Sequence, residues 1–214
     1  MRPLTDAETK SLFDKLANYT GRSLTALLTD TAPAPTTKSP DRYIFRIQAS
    51  RVYYVRETLA NLATSVARHH LLALGTCLGK FTRSGKFRLH VTALDVVAPH
   101  ARYKVWVKPN GEMPFLYGGH VVKAHVGRWS EDCPEHQGVV VMSMNDTPLV
   151  SRRRSSSYSI EQGRGGWLIR KCQGFGVTAR STAEARRLDP TGIVTFRQAD
   201  VGEYLRDEDT LFAS

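Results

Sequence analysis

The chain is poor in cysteine: Cys77, Cys133 and Cys172 are the only three in 214 residues, and no two form a C-x-x-C pair. That argues against a disulfide framework and points to a reducing compartment. Long apolar runs are missing as well. None approaches the roughly 20 residues of a membrane-spanning helix, and "MRPLTDAETK" lacks the apolar stretch of a secretory leader. A soluble, intracellular protein without a membrane partner is expected. The motifs of nucleotide, acyl-transfer and zinc-protease chemistry are also absent: there is no P-loop, no G-x-S-x-G and no H-E-x-x-H. Asp95, Asp146 and Glu203 are candidate acids, but no spacing relates them. The "GFG" at 174–176 is a lone G-x-G, a weak signal for a phosphate loop. His120, His125, Cys133 and His136 can be drawn as a zinc set, but an H-x4-H pair does not share a helix face well, and the pattern only loosely resembles known zinc spacings. The expectation is no catalytic residue, no metal and no cofactor.

Acidic residues are the next deficit. Thirty Lys and Arg stand against 20 Asp and Glu, a formal net charge of +10. Such an excess suits a polyanionic partner, nucleic acid first and an acidic membrane second. The charge is unevenly spread. Residues 150–173 hold Arg152, Arg153, Arg154, Arg164, Arg170 and Lys171 against Glu161 alone, which is half of the whole excess. The remainder of the chain is basic, but far less decisively.

Hydrophobic residues make up 41 %, enough for one or two small cores. Thr5 and Glu8 form a capping box, and Leu12, Phe13, Leu16 and Ala17 follow at helical spacing, so a first helix is expected there. "GRSLTALL" suggests a short second one. "TDTAPAPTTKSPD", 29–41, reads as a flexible loop. "YIFRI" and "RVYYV" read as a hairpin, and Leu59, Leu62, Ala63, Val66 and Ala67 as another amphipathic helix. "LLALGTCLGKFT" and "KFRLHVTALDVV" read as strands joined by "RSG". In the second, Phe87, Leu89 and Val91 alternate with Lys86, Arg88 and His90, which separates an apolar face from a basic one. Lys80, Arg83, Lys86 and Arg88 could meet phosphates while Phe81 and Phe87 stack on bases. A solvated outer face, with the aromatics turned inward, is the reading that the pattern by itself favours.

Beyond a boundary near 98–101 the pattern becomes mostly β. "KVWVK", "GVVVMSM", "GFGVTA" and "IVTFRQA" are short strands, and one short helix is expected at Phe115–Tyr117. Turn signals at close spacing suggest a small barrel.

Long blocks then carry a family resemblance. They are "MRPLT", "RVYY" (Arg51–Tyr54), "LGTCLGKFT" (Leu74–Thr82), "KFRLHVTALD" (Lys86–Asp95) and "KVWVKP" (Lys104–Pro109). "FLYGGHVVKAHVGR" (Phe115–Arg128), "QGVVVMSMNDTPL" (Gln137–Leu149), "GFG" (Gly174–Gly176) and "QADVGEYLRDEDT" (Gln198–Thr210) continue in order. The chain resembles the eukaryotic Nip-seven (nuclear-import-protein-seven) family of 60S ribosome subunit biogenesis factors. The resemblance implies an α+β protein. An N-terminal α/β domain, 1–95, would hold a mainly antiparallel sheet flanked by helices, and a C-terminal PUA pseudo-barrel, 96–214, would follow. It implies non-enzymatic RNA binding in pre-rRNA processing in the nucleus and nucleolus, with pre-60S assembly factors as partners and a monomer within pre-ribosomal particles. In PUA domains RNA usually meets the first helix and a late strand. Carried onto this sequence, that surface gives Lys123, His125, Arg128, Arg197 and Gln198. Lys86 and Arg88 of the hairpin join them as candidate RNA contacts. An RNA-modifying enzyme or accessory subunit with a PUA domain is the alternative, although no nucleophilic Asp or methyl-donor pocket is legible.

The family passes directly from "TPL" to "GFG", whereas this chain carries 150–173 between them. Val-Ser at the start can be encoded by a splice-donor sequence, and Gln at the end by a codon ending in the acceptor dinucleotide. We read the segment as a translated intron, expected to be exposed, with a lineage-specific loop, a phosphorylated or nuclear-localising "RRRSSS" and a "GRGG" arm as the other readings.

Overall fold

Thr5 starts the first helix by a reciprocal cap. Its side-chain oxygen accepts the Glu8 N–H at 3.4 Å, and the Glu8 carboxylate accepts the Thr5 N–H at 2.9 Å. The computed structural model describes residues 1–29, 31–32, 41–67, 70–71, 73–144 and 172–206. Two packed units emerge, Met1–His100 and Ala101–Arg206.

In the first unit, α1 (Asp6–Thr20) buries Leu12 and Leu16, and α2 (Leu24–Leu28) buries Leu27. Five antiparallel strands lie in chain order: β1 (Thr31–Ala32), β2 (Asp41–Gln48), β3 (Arg51–Arg56), β4 (Thr76–Phe81) and β5 (Phe87–Leu89). Helix α1 sets Phe13 edge-on against Phe45 of β2, with centroids 5.7 Å apart. The β2–β3 turn is two residues long, and Ala49 and Ser50 both take positive φ (46° and 62°), which matches the twist of a tight hairpin.

Several expectations change here. The 29–41 segment is not all loop, since Thr31 and Ala32 pair with Arg42 and Asp41 as an edge strand. Asp30 and residues 33–40 lie outside the described residues. The strand expected over "KFRLHVTALDVV" stops at Leu89. A 3-10 turn (Val91–Ala93) and α4 (Leu94–Val97) replace its second half. Val91, Leu94, Val97 and Ala98 are all buried, so the apolar spacing there is helical rather than alternating. This helix keeps its core with the first unit, whose first stretch runs to His100. The helix expected at Leu59–Ala67 is α3 (Glu57–Leu62) plus one 3-10 turn, and its apolar stripe faces outward, with Leu62 70 % exposed.

The second unit is a six-stranded sheet in the order β7-β11-β10-β9-β6-β8. The strands are β6 (Lys104–Val107), β7 (Val121–Val122), β8 (Val126–Trp129), β9 (Gly138–Ser143), β10 (Cys172–Thr178) and β11 (Ile193–Asp200). Among the described strands of this sheet, β6 and β9 alone run parallel. The edge strands β7 and β8 are joined by the three-residue turn Lys123–His125, so the sheet curls until its edges nearly meet. The turn is pinned on both sides. Lys123 and Ala124 donate to the carbonyls of Gly192 and Pro190, and the His125 carbonyl accepts from Lys108 N–H. Val105, Val107, Val121, Val139, Val141 and Val194 fill the interior. Against this core lies α5 (Pro109–Leu116), with Phe115 inward. It ends where the sequence reading had it begin, because Pro109 favours an N-terminal position and Gly118 takes a positive φ soon after.

Strand β10 starts at Cys172, so Cys172 and Gln173, read as the end of the inserted segment, are buried strand residues. Residues 145–171, including Trp167, Leu168 and Ile169, lie outside the described residues. No helix among the described residues is long and apolar enough to cross a membrane.

Candidate nucleic-acid interface

Alternation along "KVWVKP" decides one surface of the second unit. Val105 and Val107 point into the barrel, which leaves Lys104, Trp106 and Lys108 on its outside. Trp106 sits directly opposite Arg128 in the β6–β8 ladder, and the Arg128 guanidinium lies 5.1 Å from the indole centroid. Around this pair runs an open groove of about 780 Å³, lined by Trp106, Lys108, Lys123, Arg128, Trp129 and Arg186 among others. Its floor is low at Gly127, where a Cβ would collide with the Met144 sulfur.

The cations of the groove are not equivalent. Lys123 is committed to the fold: its ammonium donates to the carbonyls of Arg186 (2.9 Å) and Leu188, tying the turn to the chain after the short helix Thr182–Ala185. Arg186 lies 3.6 Å from the exposed carboxylate of Glu131, a pairing too solvated to occupy it fully. Lys108 and Arg128 are exposed, and no carboxylate pairs with either among the described residues. A planar ring, an arginine stacked on it and two more cations offer a base a stacking surface and its phosphates a charge partner.

The other sequence-predicted residues lie elsewhere. His125 turns toward α5, with its Cβ pressed on Gly111, and its buried Nδ1 finds no partner among the described residues. Arg197 and Gln198 stand on β11 outside the groove lining. Arg197 donates to Asp200 at 2.5 Å and to Glu203 at 2.8 Å, and Asp200, fully buried, also accepts from Arg206 at 2.9 Å. The Arg197 N–H donates to His120 Nδ1, and the His120 ring meets Phe196 edge to face at 5.5 Å. Gln198 is the extra residue of a bulge, since Arg197 opposes Gly176 and Ala199 opposes Phe175. Lys86 and Arg88 belong to the first unit and are exposed, while Phe81 and Phe87 pair with each other on the opposite face of the hairpin (centroids 5.2 Å). Base stacking and phosphate contact are therefore separated there.

Trp106, Lys108 and Arg186 escaped the sequence reading. Alternation in "KVWVKP" could have exposed the first two. Arg186 had no local signal, because it reaches the groove from a distant helix. Of the candidate acids, Glu203 pairs with Arg197, Asp95 is exposed, and Asp146 lies outside the described residues. His120, His125, Cys133 and His136 do not converge, and no group of three His, Cys, Asp or Glu suited to a metal occurs among the described residues.

Residues 1–91 match the family model described as the NIP7/UPF0113 pre-PUA domain, and residues 103–164 and 167–209 match the UPF0113 PUA domain. Relatives match along almost the whole length. The 60S ribosome subunit biogenesis protein nip7 of Schizosaccharomyces pombe is 57 % identical, with 99 % of this chain and 100 % of that protein covered. NIP7 of Saccharomyces cerevisiae is 56 % identical, with 99 % of both covered. The Xenopus tropicalis homolog is 52 % identical over 99 % of each chain. Among solved structures, a PUA domain protein of Aeropyrum pernix aligns with a TM-score of 0.50 at 14 % identity, covering 98 % of this chain and 90 % of that one. A hypothetical protein of Pyrococcus horikoshii aligns with a TM-score of 0.50 at 11 % identity, covering 97 % and 98 %. The fold is thus an α+β pre-PUA unit followed by a PUA pseudo-barrel, and the chain belongs to the NIP7 family of 60S ribosome subunit biogenesis proteins.

Proposed function

We propose that this chain is a non-catalytic RNA-binding assembly factor of the 60S ribosomal subunit. It acts in the nucleus and nucleolus on pre-rRNA, as a monomer among other pre-60S factors. The reading draws on the family and on one observation in particular: the outer face of β6 and β8 presents Trp106 beneath Arg128, flanked by Lys108 and Arg186. Work of this kind is holding and positioning. Phosphate contacts supply sequence-independent affinity, and the indole accepts any base by its π-face. In this reading Arg128, Lys108, Arg186 and Trp106 touch RNA. Lys123 and Arg197 hold backbone and carboxylates in place, and Gln198 and His125 shape the barrel near them.

The test is fluorescence anisotropy with a uridine-rich single strand, on the full chain and on one lacking residues 150–171. The deletion separates the groove from the arginines of that segment and spares Cys172 and Gln173 in β10. Trp106→Ala should weaken binding by about 1–3 kcal/mol, the worth of one stacked base. Lys108→Gln with Arg128→Gln should flatten the slope of log K against log salt by about 1.4. Unchanged affinity and slope in both variants would remove the groove from the interface.

A further inference from the structure

In the first unit three cations face one another across adjacent strands. Arg51 of β3 opposes Lys80 of β4, and Lys80 opposes Arg88 of β5. Residues directly opposite in antiparallel ladders project to the same face, and like charges placed so destabilise the sheet. The arrangement spans roughly 10 Å at ordinary strand spacing. Its members are graded in depth: Arg51 is 7 % exposed, Lys80 is half-buried, and Arg88 is exposed. Among the described residues no carboxylate pairs with Lys80 or Arg88. His90, two residues past Arg88 on the same face, is 6 % exposed, and among the described residues its Nδ1 has no hydrogen-bond partner. Burial first, then Arg51, Lys80 and Arg88, lower its pKa to about 4, so the imidazole is neutral near pH 7 and adds no further charge.

A fold that sets like charges side by side and leaves a buried imidazole nitrogen unbonded beside them is organised for an anion. We propose that Arg51, Lys80, Arg88 and His90 form a phosphate-binding site through which the pre-PUA unit holds RNA, a contact additional to the groove of the PUA unit. The proposal rests on the RNA-binding reading above. An RNA backbone suits the row better than an acidic protein segment. The cations stand at regular strand spacing with no apolar side chain among the three, whereas protein docking sites centre on apolar or aromatic anchors. Here the aromatic pair Phe81 and Phe87 faces the other way.

The experiment uses the full chain and its Lys80→Gln/Arg88→Gln variant, with the same uridine-rich single strand as probe. The slope of log K against log salt should fall by about 1.4, two phosphate contacts on a single strand. The melting temperature without RNA should hold or rise, because a like-charge contact has been removed. In the unaltered chain RNA should move the His90 imidazole titration upward, as phosphate neutralises its cationic neighbours. An unchanged salt slope, or a variant that melts lower, overturns the proposal. If a poly-glutamate peptide binds the chain and loses affinity in the variant while the RNA slope stays fixed, the face docks acidic protein instead. Trp106→Ala in parallel separates the two readings. RNA binding that depends on Trp106 but ignores Lys80 and Arg88 sinks this site alone, and no RNA binding by the unaltered chain sinks both.

Discussion

Replacing Asp200 with asparagine tests whether Arg197 serves the fold or the RNA. The Asp200 carboxylate is fully buried and accepts from Arg197 at 2.5 Å and Arg206 at 2.9 Å, while Arg197 also reaches Glu203. Asparagine keeps the shape but removes the charge, and its amide sets N–H donors against guanidinium donors. Removing one partner of a buried ion pair costs about 3–5 kcal/mol. The side chains of Arg197 and Arg206 are 22 % and 29 % exposed, so water recovers part of their hydration, and the lower end, about 3 kcal/mol, is expected. With a urea m-value of about 1–3 kcal/mol/M, the midpoint falls by roughly 1–3 M. Arg197→Gln should cost less alone, and the double variant should fall well short of additivity, because both substitutions break one network. Two results refute the reasoning. One is an Asp200→Asn protein as stable as the parent. The other is an Arg197→Gln protein that keeps its stability but loses RNA affinity, which would restore Arg197 as an RNA contact.

Three other outcomes are checkable. Gly79→Ala would place a Cβ 2.1 Å from the Arg88 carbonyl oxygen, so it should cost more than about 2 kcal/mol in chemical unfolding, whereas a neutral effect would contradict the β4–β5 register. The folded-state pKa of His90 is lowered to about 4, so folding favours the neutral ring; that stability is full above its ordinary 6.5 and is lost as pH falls from there toward 4. Proton NMR of the imidazole checks this, and an ordinary titration near 6.5 would disprove it. Glu8, held by Arg2 first and by the Thr5 N–H next, has its pKa lowered to about 2. Its contribution is present above the ordinary 4.5 and lost as pH falls toward 2, so the stability difference between the parent and Glu8→Gln should shrink over that window. Because the pair is exposed, salt should shrink the difference too.

How legible the chain was depended on the range of the interaction. The Thr5–Glu8 cap spans three residues, and the "YIFRI"/"RVYYV" hairpin closes over two, so local pattern was enough for both. "HVTALDVV" misled because Val91 fits both an alternating strand and a helical stripe, and only packing of Leu94, Val97 and Ala98 into the first core decides between them. The stripe of Leu59, Leu62 and Val66 is a real amphipathic signal, yet those side chains stay exposed; periodicity tells that a face is apolar and not what covers it.

The same divide separates the candidate contacts. A basic, cysteine-poor chain, a capped first helix, the alternation that sends Val105 and Val107 inward and the family blocks that identify a PUA unit all follow from the order of the residues. Tertiary structure alone decided which cations remain available. Lys123 is taken up by carbonyls more than sixty positions along the chain, Arg197 by Asp200 and Glu203, while Arg128 is delivered onto Trp106 by β6–β8 pairing. Charge is written residue by residue, but whether a charge is satisfied depends on what the folded chain brings within hydrogen-bond reach of it.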